Sequence, residues 1–185
     1  MPETICYAWE TSSLGDFIAA LSDRGLVALE FGSDRPKTLG ALCVRFPEAD
    51  VVEDQAGLAG TLDVLRRAIE EPASDPGVPL DLHGTAFEIG VWEMLRQILA
   101  GETTHYGALA ARLGTRDARE VTAAIANNAI AVRVPCHRVI KKDGSISGYR
   151  WGVQRKRALL AREQRQKPHA ATGLGDGTPL FSRHV

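Results

Sequence analysis

Residues 106–127 read YGALAARLGTRDAREVTAAIAN. Leu109, Ala110 and Leu113 recur at helical spacing, Gly114-Thr115 interrupts the pattern, and Arg116 to Asn127 resumes it with Val121, Ala124 and Ile125. Two short helices around a glycine-containing turn predict a helix-turn-helix. Ala118, Thr122 and Ala123 are small, so the backbone of the second helix can approach a surface closely. Small residues also suit helix packing, but the basic flank of Arg112, Arg116 and Arg119 favours a polyanion.

Downstream, Ile130 to Val134 predicts a strand leading into Val134-Pro135-Cys136-His137-Arg138-Val139. Val139-Ile140 with Lys141 to Ser145 then predicts a second strand and a hairpin turn, forming a wing. Only a thiolate attacks carbon, so a reactive cysteine needs a base or a cation beside it. Consecutive strand residues face opposite ways, and the Cys136-His137 dipeptide alone fits a buried pair equally well. Its frame adds more. Pro135 fixes the backbone ahead of the cysteine, and Asn127-Asn128 supplies amides for the turn. A final helix over Gln154 to Gln164 carries Glu163, a carboxylate able to orient an imidazole.

Upstream of the helix-turn-helix, Thr85 caps a predicted helix with Phe87, Val91, Trp92, Leu95, Ile98 and Leu99 as its stripe, stopping at Gly101. Residues 71–80 hold three prolines and a glycine and read as a linker. Before it, 5–9, 16–21 and 26–31 predict three strands of an antiparallel meander. Helices are expected from Pro36 to Phe46 and along Leu58, Leu62, Leu65 and Ile69. The fold class is therefore α+β, with an N-terminal domain over 1–79 and a DNA-binding domain over 80–166. A disordered tail is expected over 167–185.

Charge also separates between the first and second halves of the chain. Residues 1–88 carry 16 Asp/Glu against 6 Lys/Arg, and residues 89–185 carry 7 against 16, within a total of -1. A basic second half suits DNA, while pairing across the two halves explains the same numbers. Three widely spaced cysteines indicate neither a disulfide framework nor a zinc finger, and Cys6 and Cys43 read as core thiols. Without a signal segment or an apolar run of membrane length, a cytoplasmic protein is expected, with no membrane partner.

Taken together, Pro135-Cys136-His137-Arg138-Val139, preceded by Gly101 to Tyr106 and Arg119 to Asn128 and followed by Ser147-Gly148-Tyr149-Arg150-Trp151-Gly152, resemble the O6-alkylguanine-DNA alkyltransferases. The last block is most similar to the C-terminal half of bacterial Ada. The resemblance covers residues 80–165 and implies a ribonuclease-H-like N-terminal domain and a winged-helix-like C-terminal domain. It implies a monomer that binds double-stranded DNA through the minor groove and flips the damaged base. Cys136 would irreversibly take the alkyl group from O6-alkylguanine, and O4-alkylthymine is a further possible substrate. No cofactor or metal is implied.

By position, His137 would act as base through a water, Glu163 would orient it, and Asn128 would brace the turn. Arg119 would fill the gap in the base stack, with Ala118, Thr122 and Ala123 against the groove. Tyr106 would press on the target phosphate and protonate the leaving guanine. Ile125, Val139, Tyr149 and Arg150 would form the substrate pocket. The chain departs from the family pattern at His105, where a serine N-cap is usual, and at Leu99, where proline is common. Glu120 adds an acid to the DNA-facing helix, and the turn before Arg119 is one residue shorter. Two other readings stay open at this stage: a non-catalytic winged-helix lesion sensor and a Cys-His hydrolase.

Overall fold

The computed structural model describes residues 1–167, so all but the first residue of the expected tail lies outside the described residues. The chain opens with β1 (Thr4–Ser12), β2 (Gly15–Leu21) and β3 (Leu26–Phe31), the expected antiparallel meander. The middle residues of its strands are apolar and buried because both faces are covered. On one face α1 (Arg35–Arg45) packs Leu39, Leu42 and Phe46 against Ile5, Tyr7, Trp9, Ile18 and Ala20. On the other, α2 (Ala59–Glu70) brings Leu62, Leu65 and Ile69 against Ala8, Phe17 and Ala19. The alternation of Phe17 and Ala19 with Ile18 and Ala20 follows from the two-residue period of a strand.

Two features of this half differ from expectation. A fourth strand, β4 (Asp50–Glu53), pairs in parallel with β1, giving the order β3-β2-β1-β4. Four residues at a sheet edge are too few for an alternating pattern to show. Cys43 is exposed rather than in the core, because the buried stripe of α1 passes through its neighbour Leu42, while Cys6 is half-buried.

The second half begins with α3 (Ala86–Arg96), where Thr85 and Glu88 form a reciprocal capping box. The helix ends at Arg96, so Ile98 and Leu99 lie beyond it, and Leu99 is exposed rather than part of a buried stripe. After the short β5 (Thr104–His105) come α4 (Tyr106–Leu113) and α5 (Ala118–Ala126). Gly114 closes α4 at φ 70, a left-handed cap that favours glycine. Asp117 caps α5 through Arg119 N. His105 performs the capping task expected of serine, its Nδ1 accepting from Ala108 N at 3.1 Å. Trp92 on α3 donates its indole N–H to Ala124 O at 2.8 Å and fixes α5 from behind.

The expected strand over 130–134 is a buried turn, with only Ile130 bridging to a strand. Val132 there has φ 68, an unusual conformation for a β-branched residue. Asn128 competes successfully for the backbone: its Oδ1 accepts from Ile130 N at 2.9 Å and its Nδ2 donates to Val134 O at 3.1 Å. Cys136–Arg138 form one 3-10 turn, followed by β6 (Val139–Ile140) and, after a loop, α6 (Val153–Gln166). The Lys141 to Ser145 turn is closed by Lys141 N donating to Ser145 O. Among the described residues no strand follows it, however, and β6 pairs in parallel with β5, so the wing hairpin does not form.

The halves meet along the outer edge of β3. Leu29 N donates to Ala129 O at 2.9 Å and Ala131 N to Leu29 O at 2.8 Å, while Leu26 pairs with Leu80 of the linker. Three ion pairs also cross: Arg150 to Glu30 at 2.6 Å, Arg133 to Asp75 at 3.0 Å and Arg162 to Glu70 at 3.4 Å. Part of the charge segregation in the sequence is thus interface pairing. Leu65 is fully buried between the sheet and the rest of the core. Leu65→Ala is expected to cost about 2–5 kcal/mol, read as a lower urea midpoint; an unchanged midpoint would show that α2 does not close the core.

Candidate active site

Cys136, His137 and Arg138 are all buried, so the dipeptide chemistry is decided by neighbours rather than by solvent. The 3-10 turn replaces the alternation of a strand, and Cys136 and His137 meet different partners. His137 Nε2 lies 2.7 Å from Glu163 Oε1. An ionised carboxylate only accepts, so Nε2 carries the hydrogen and Nδ1 keeps a bare lone pair. That Nδ1 has no hydrogen-bond partner among the described residues. Burial pushes the imidazole below its ordinary pKa, against the pull of Glu163, so it rests neutral.

Glu163 is itself fully buried and accepts from four donors. Besides His137 these are Arg138 Nε at 3.0 Å, Arg138 Nη2 at 2.7 Å and Gly101 N at 3.3 Å. Burial alone would raise its pKa, but the hydrogen bonds from His137 and Arg138 bring it down to about 2. Arg138 Nη1 turns outward from this pair to Ile98 O at 2.5 Å. A motif arginine therefore neutralises the carboxylate that orients the imidazole.

Cys136 Sγ receives a 3.4 Å contact from Asn128 Nδ2. Burial raises the thiol to about 11, with Asn128 and Lys156 acting in the opposite direction. The resting sulfur is thus a protonated thiol. It opens into a cavity of about 590 Å³ whose wall includes Tyr106, Thr122, Ile125, Ser147, Tyr149 and Arg150. Val139 is buried and is not part of that wall; its carbonyl accepts from Lys156 Nζ. Tyr149 stacks edge-on against Trp151 at 5.2 Å.

The outer face of α5 carries Ala118, Arg119, Thr122 and Ala123 exposed, opposite the buried Val121, Ala124 and Ile125. Arg119 is 93% exposed and loosely paired with Asp117 at 3.2 Å. Glu120 is drawn toward Thr115, its Oε2 accepting at 3.3 Å. The structure therefore brings Cys136, His137, Glu163 and Asn128 into one network and sets Tyr106, Tyr149, Arg150 and Ile125 around its cavity. Arg119, Ala118 and Ala123 lie on the adjoining open helix face.

Two polar residues of the site escape sequence reasoning. Lys156 and Ser147 are buried beside the cavity, joined at 3.0 Å, and Ser147 lies 2.9 Å from the Tyr106 hydroxyl. Lys156, Leu159 and Glu163 share one buried stripe of α6, so a lysine three residues from a core leucine and seven from Glu163 was the available signal. Among the described residues, Glu3, Asp81 and His83 are close enough to share a cation, but the Arg24 guanidinium already bridges Glu3 at 3.5 Å and Asp81 at 3.3 Å.

Three comparisons show which known proteins the chain is similar to. Residues 86–165 match the family described as 6-O-methylguanine DNA methyltransferase, DNA binding domain. A methylated-DNA–protein-cysteine methyltransferase of Mycobacterium tuberculosis is 41% identical over 116 residues, which cover 62% of this chain and 70% of the relative. The chain belongs to the methylated-DNA–protein-cysteine methyltransferase family. The bifunctional transcriptional activator/DNA repair enzyme Ada of Escherichia coli is 39% identical over 85% of this chain, and the aligned part is 45% of Ada. The chain thus spans about half the length of the Ada relatives it matches. The crystal structure of Mycobacterium tuberculosis OGT in complex with DNA superposes with a TM-score of 0.71 at 34% identity. That match covers 89% of this chain and 96% of OGT.

Removing the Glu163 charge leaves Arg138 buried without its counterion. Glu163→Gln is expected to destabilise the protein by about 3–5 kcal/mol in urea unfolding at neutral pH. Because the folded pKa is depressed to about 2, the contribution of Glu163 is complete above the unfolded carboxylate value and is lost as pH falls toward 2. The gap between wild type and variant should therefore narrow through that window, and a pH-independent gap would contradict the assignment.

Proposed function

We propose that this chain repairs DNA by direct reversal, transferring an alkyl group irreversibly from O6-alkylguanine in duplex DNA to Cys136, with O4-alkylthymine as a second substrate class. The observation that carries this reading is a thiol facing a cavity of about 590 Å³ while the neighbouring imidazole is oriented by a buried carboxylate 2.7 Å away. Family membership supports the same chemistry. In this reading residues 1–79 form a ribonuclease-H-like domain and 80–166 a winged-helix-like domain, working as a monomer on DNA in the cytoplasm.

The reaction needs a thiolate and a proton for the expelled guanine. With Nε2 committed to Glu163, His137 Nδ1 is the free basic site, and a water between Nδ1 and Sγ would carry the thiol proton to it. The thiol would form its thiolate only as the alkyl carbon arrives, because burial otherwise holds the proton on sulfur. Asn128 steadies Sγ and the turn together. Tyr106 would act at the target phosphate and as the acid toward the departing guanine, while Ile125, Tyr149 and the Arg150 backbone would hold the base.

On the DNA side, the small residues Ala118, Thr122 and Ala123 let α5 approach the minor groove. Arg119 projects from the same face to occupy the place of the flipped base. Each molecule would act once, since a thioether is not readily cleaved.

The direct test is mass. After incubation with duplex DNA holding one O6-methylguanine, the intact protein should gain a single methyl, mapped to the Cys136 peptide and absent in Cys136→Ser. Protein that binds the duplex but stays unmodified would support the lesion-sensor reading instead. Arg119→Ala should slow repair of duplex DNA about tenfold or more while leaving reaction with the free O6-alkylguanine base nearly unchanged. Equal losses on both substrates would remove the stack-filling role.

A further inference from the structure

Glu30 is the one charged residue of β3 and is only 5% exposed, between the buried Leu29 and Phe31. No step of the alkyl transfer uses it. Burial raises its carboxyl above the ordinary value, against the pull of Arg150 and then of Arg45. A buried charge must be paired, so its partners show what it holds.

Arg150 Nη2 lies 2.6 Å from Glu30 Oε1, while Arg150 Nη1 donates to Ala126 O at 3.2 Å. Arg45, on α1, donates through Nη2 to Asn127 O at 3.0 Å and to Asn127 Oδ1 at 3.3 Å. Both guanidiniums therefore cap carbonyls that the end of α5 leaves without partners inside the helix. Two like charges at one helix end repel each other, and Arg150 opposes the charge on Arg45 while Glu30 favours it. Glu30 is the counterion that lets them share that end.

Two walls of the Cys136 cavity meet at the same place. The last turn of α5 supplies Ile125 and Ala126, and the loop supplies Ser147, Tyr149 and Arg150. The hydrogen bond from Arg150 to Ala126 O crosses from one wall to the other, and the ion pair with Glu30 anchors it to the N-terminal sheet.

We propose that Glu30 is a positioning residue that limits the size of alkyl group Cys136 accepts, by clasping Arg150 so that the Tyr149-Arg150 segment is held against the last turn of α5. The proposal rests on the alkyl-transfer reading above. With Glu30 charged, Arg150 is fixed at both ends of its guanidinium and the cavity keeps its volume of about 590 Å³. Without that charge Arg150 faces Arg45 with no counterion and turns toward solvent, to which its side chain is already 32% exposed, and the loop wall follows it outward. A small alkyl group then loses its fixed placement opposite sulfur, and a larger one gains room. The halves are also joined through the main chain of Leu29, so the fold does not depend on this charge alone.

The test is the single-turnover rate of transfer to Cys136, read by intact mass, on two duplexes that differ only in carrying O6-methylguanine or O6-butylguanine. Glu30→Gln, which keeps the shape and removes the charge, should slow methyl transfer and raise the butyl-to-methyl rate ratio about tenfold. Arg150→Ala should raise the ratio to the same extent, and adding Glu30→Gln to it should raise the ratio no further. A general loss of structure would slow both duplexes in proportion, so a Glu30→Gln protein with the wild-type ratio overturns the clasp. So does a double variant in which the two effects multiply, since Glu30 would then act other than through Arg150. If Glu30→Gln does not fold, Arg150→Ala decides, and a wild-type ratio there overturns the proposal. Wild type that takes no alkyl group onto Cys136 from either duplex overturns the underlying reading instead.

Discussion

A carboxylate with no exposure to water must be surrounded by donors, and Glu163 organises this molecule because it is such a group. Its four acceptor contacts draw in the 3-10 turn through His137 and Arg138 and the start of the β5 segment through Gly101. α6 supplies the carboxylate from a distant part of the sequence. One charge therefore sets the rotamer of the base, the conformation of the turn that presents sulfur, and the docking of the last helix. Losing it would disturb folding and chemistry together, which is why a stability measurement and a rate measurement are both needed to separate its roles.

The same desolvation shapes the nucleophile. A thiol held at about 11 is a poor target for adventitious electrophiles and oxidants at neutral pH, since those react with thiolate. A neutral, fixed imidazole beside it provides a way to ionise when an alkyl carbon is in place. Reactivity is thus withheld by burial and released by geometry, a suitable division for a protein proposed to consume its sulfur in use.

Helices and the meander were readable from the sequence because each has a period and a punctuating residue: Thr85 before α3, Gly114 after α4, Gly15 and Gly25 between strands. The 130–134 segment was misread because its run of apolar residues has the composition of a buried strand, whereas Asn128 bonds Ile130 and Val134 and bends it into a turn. β4 was too short to carry a pattern. The Cys136, His137 and Glu163 set was foreseeable from chemistry together with resemblance. Lys156 and Ser147 were not, because a lysine in a basic helix and a serine in a polar loop resemble solvated residues until their burial is known.

The edge of β3 is closed by backbone hydrogen bonds from Leu29 to Ala129 and Ala131, beside the Arg150–Glu30 ion pair and just ahead of the turn that carries the nucleophile. A main-chain ladder uses the N–H and C=O groups that every non-proline residue carries. The N-terminal sheet can accordingly serve as a replaceable splint. Substitutions can accumulate there as long as one strand still offers its N–H and C=O groups at that height.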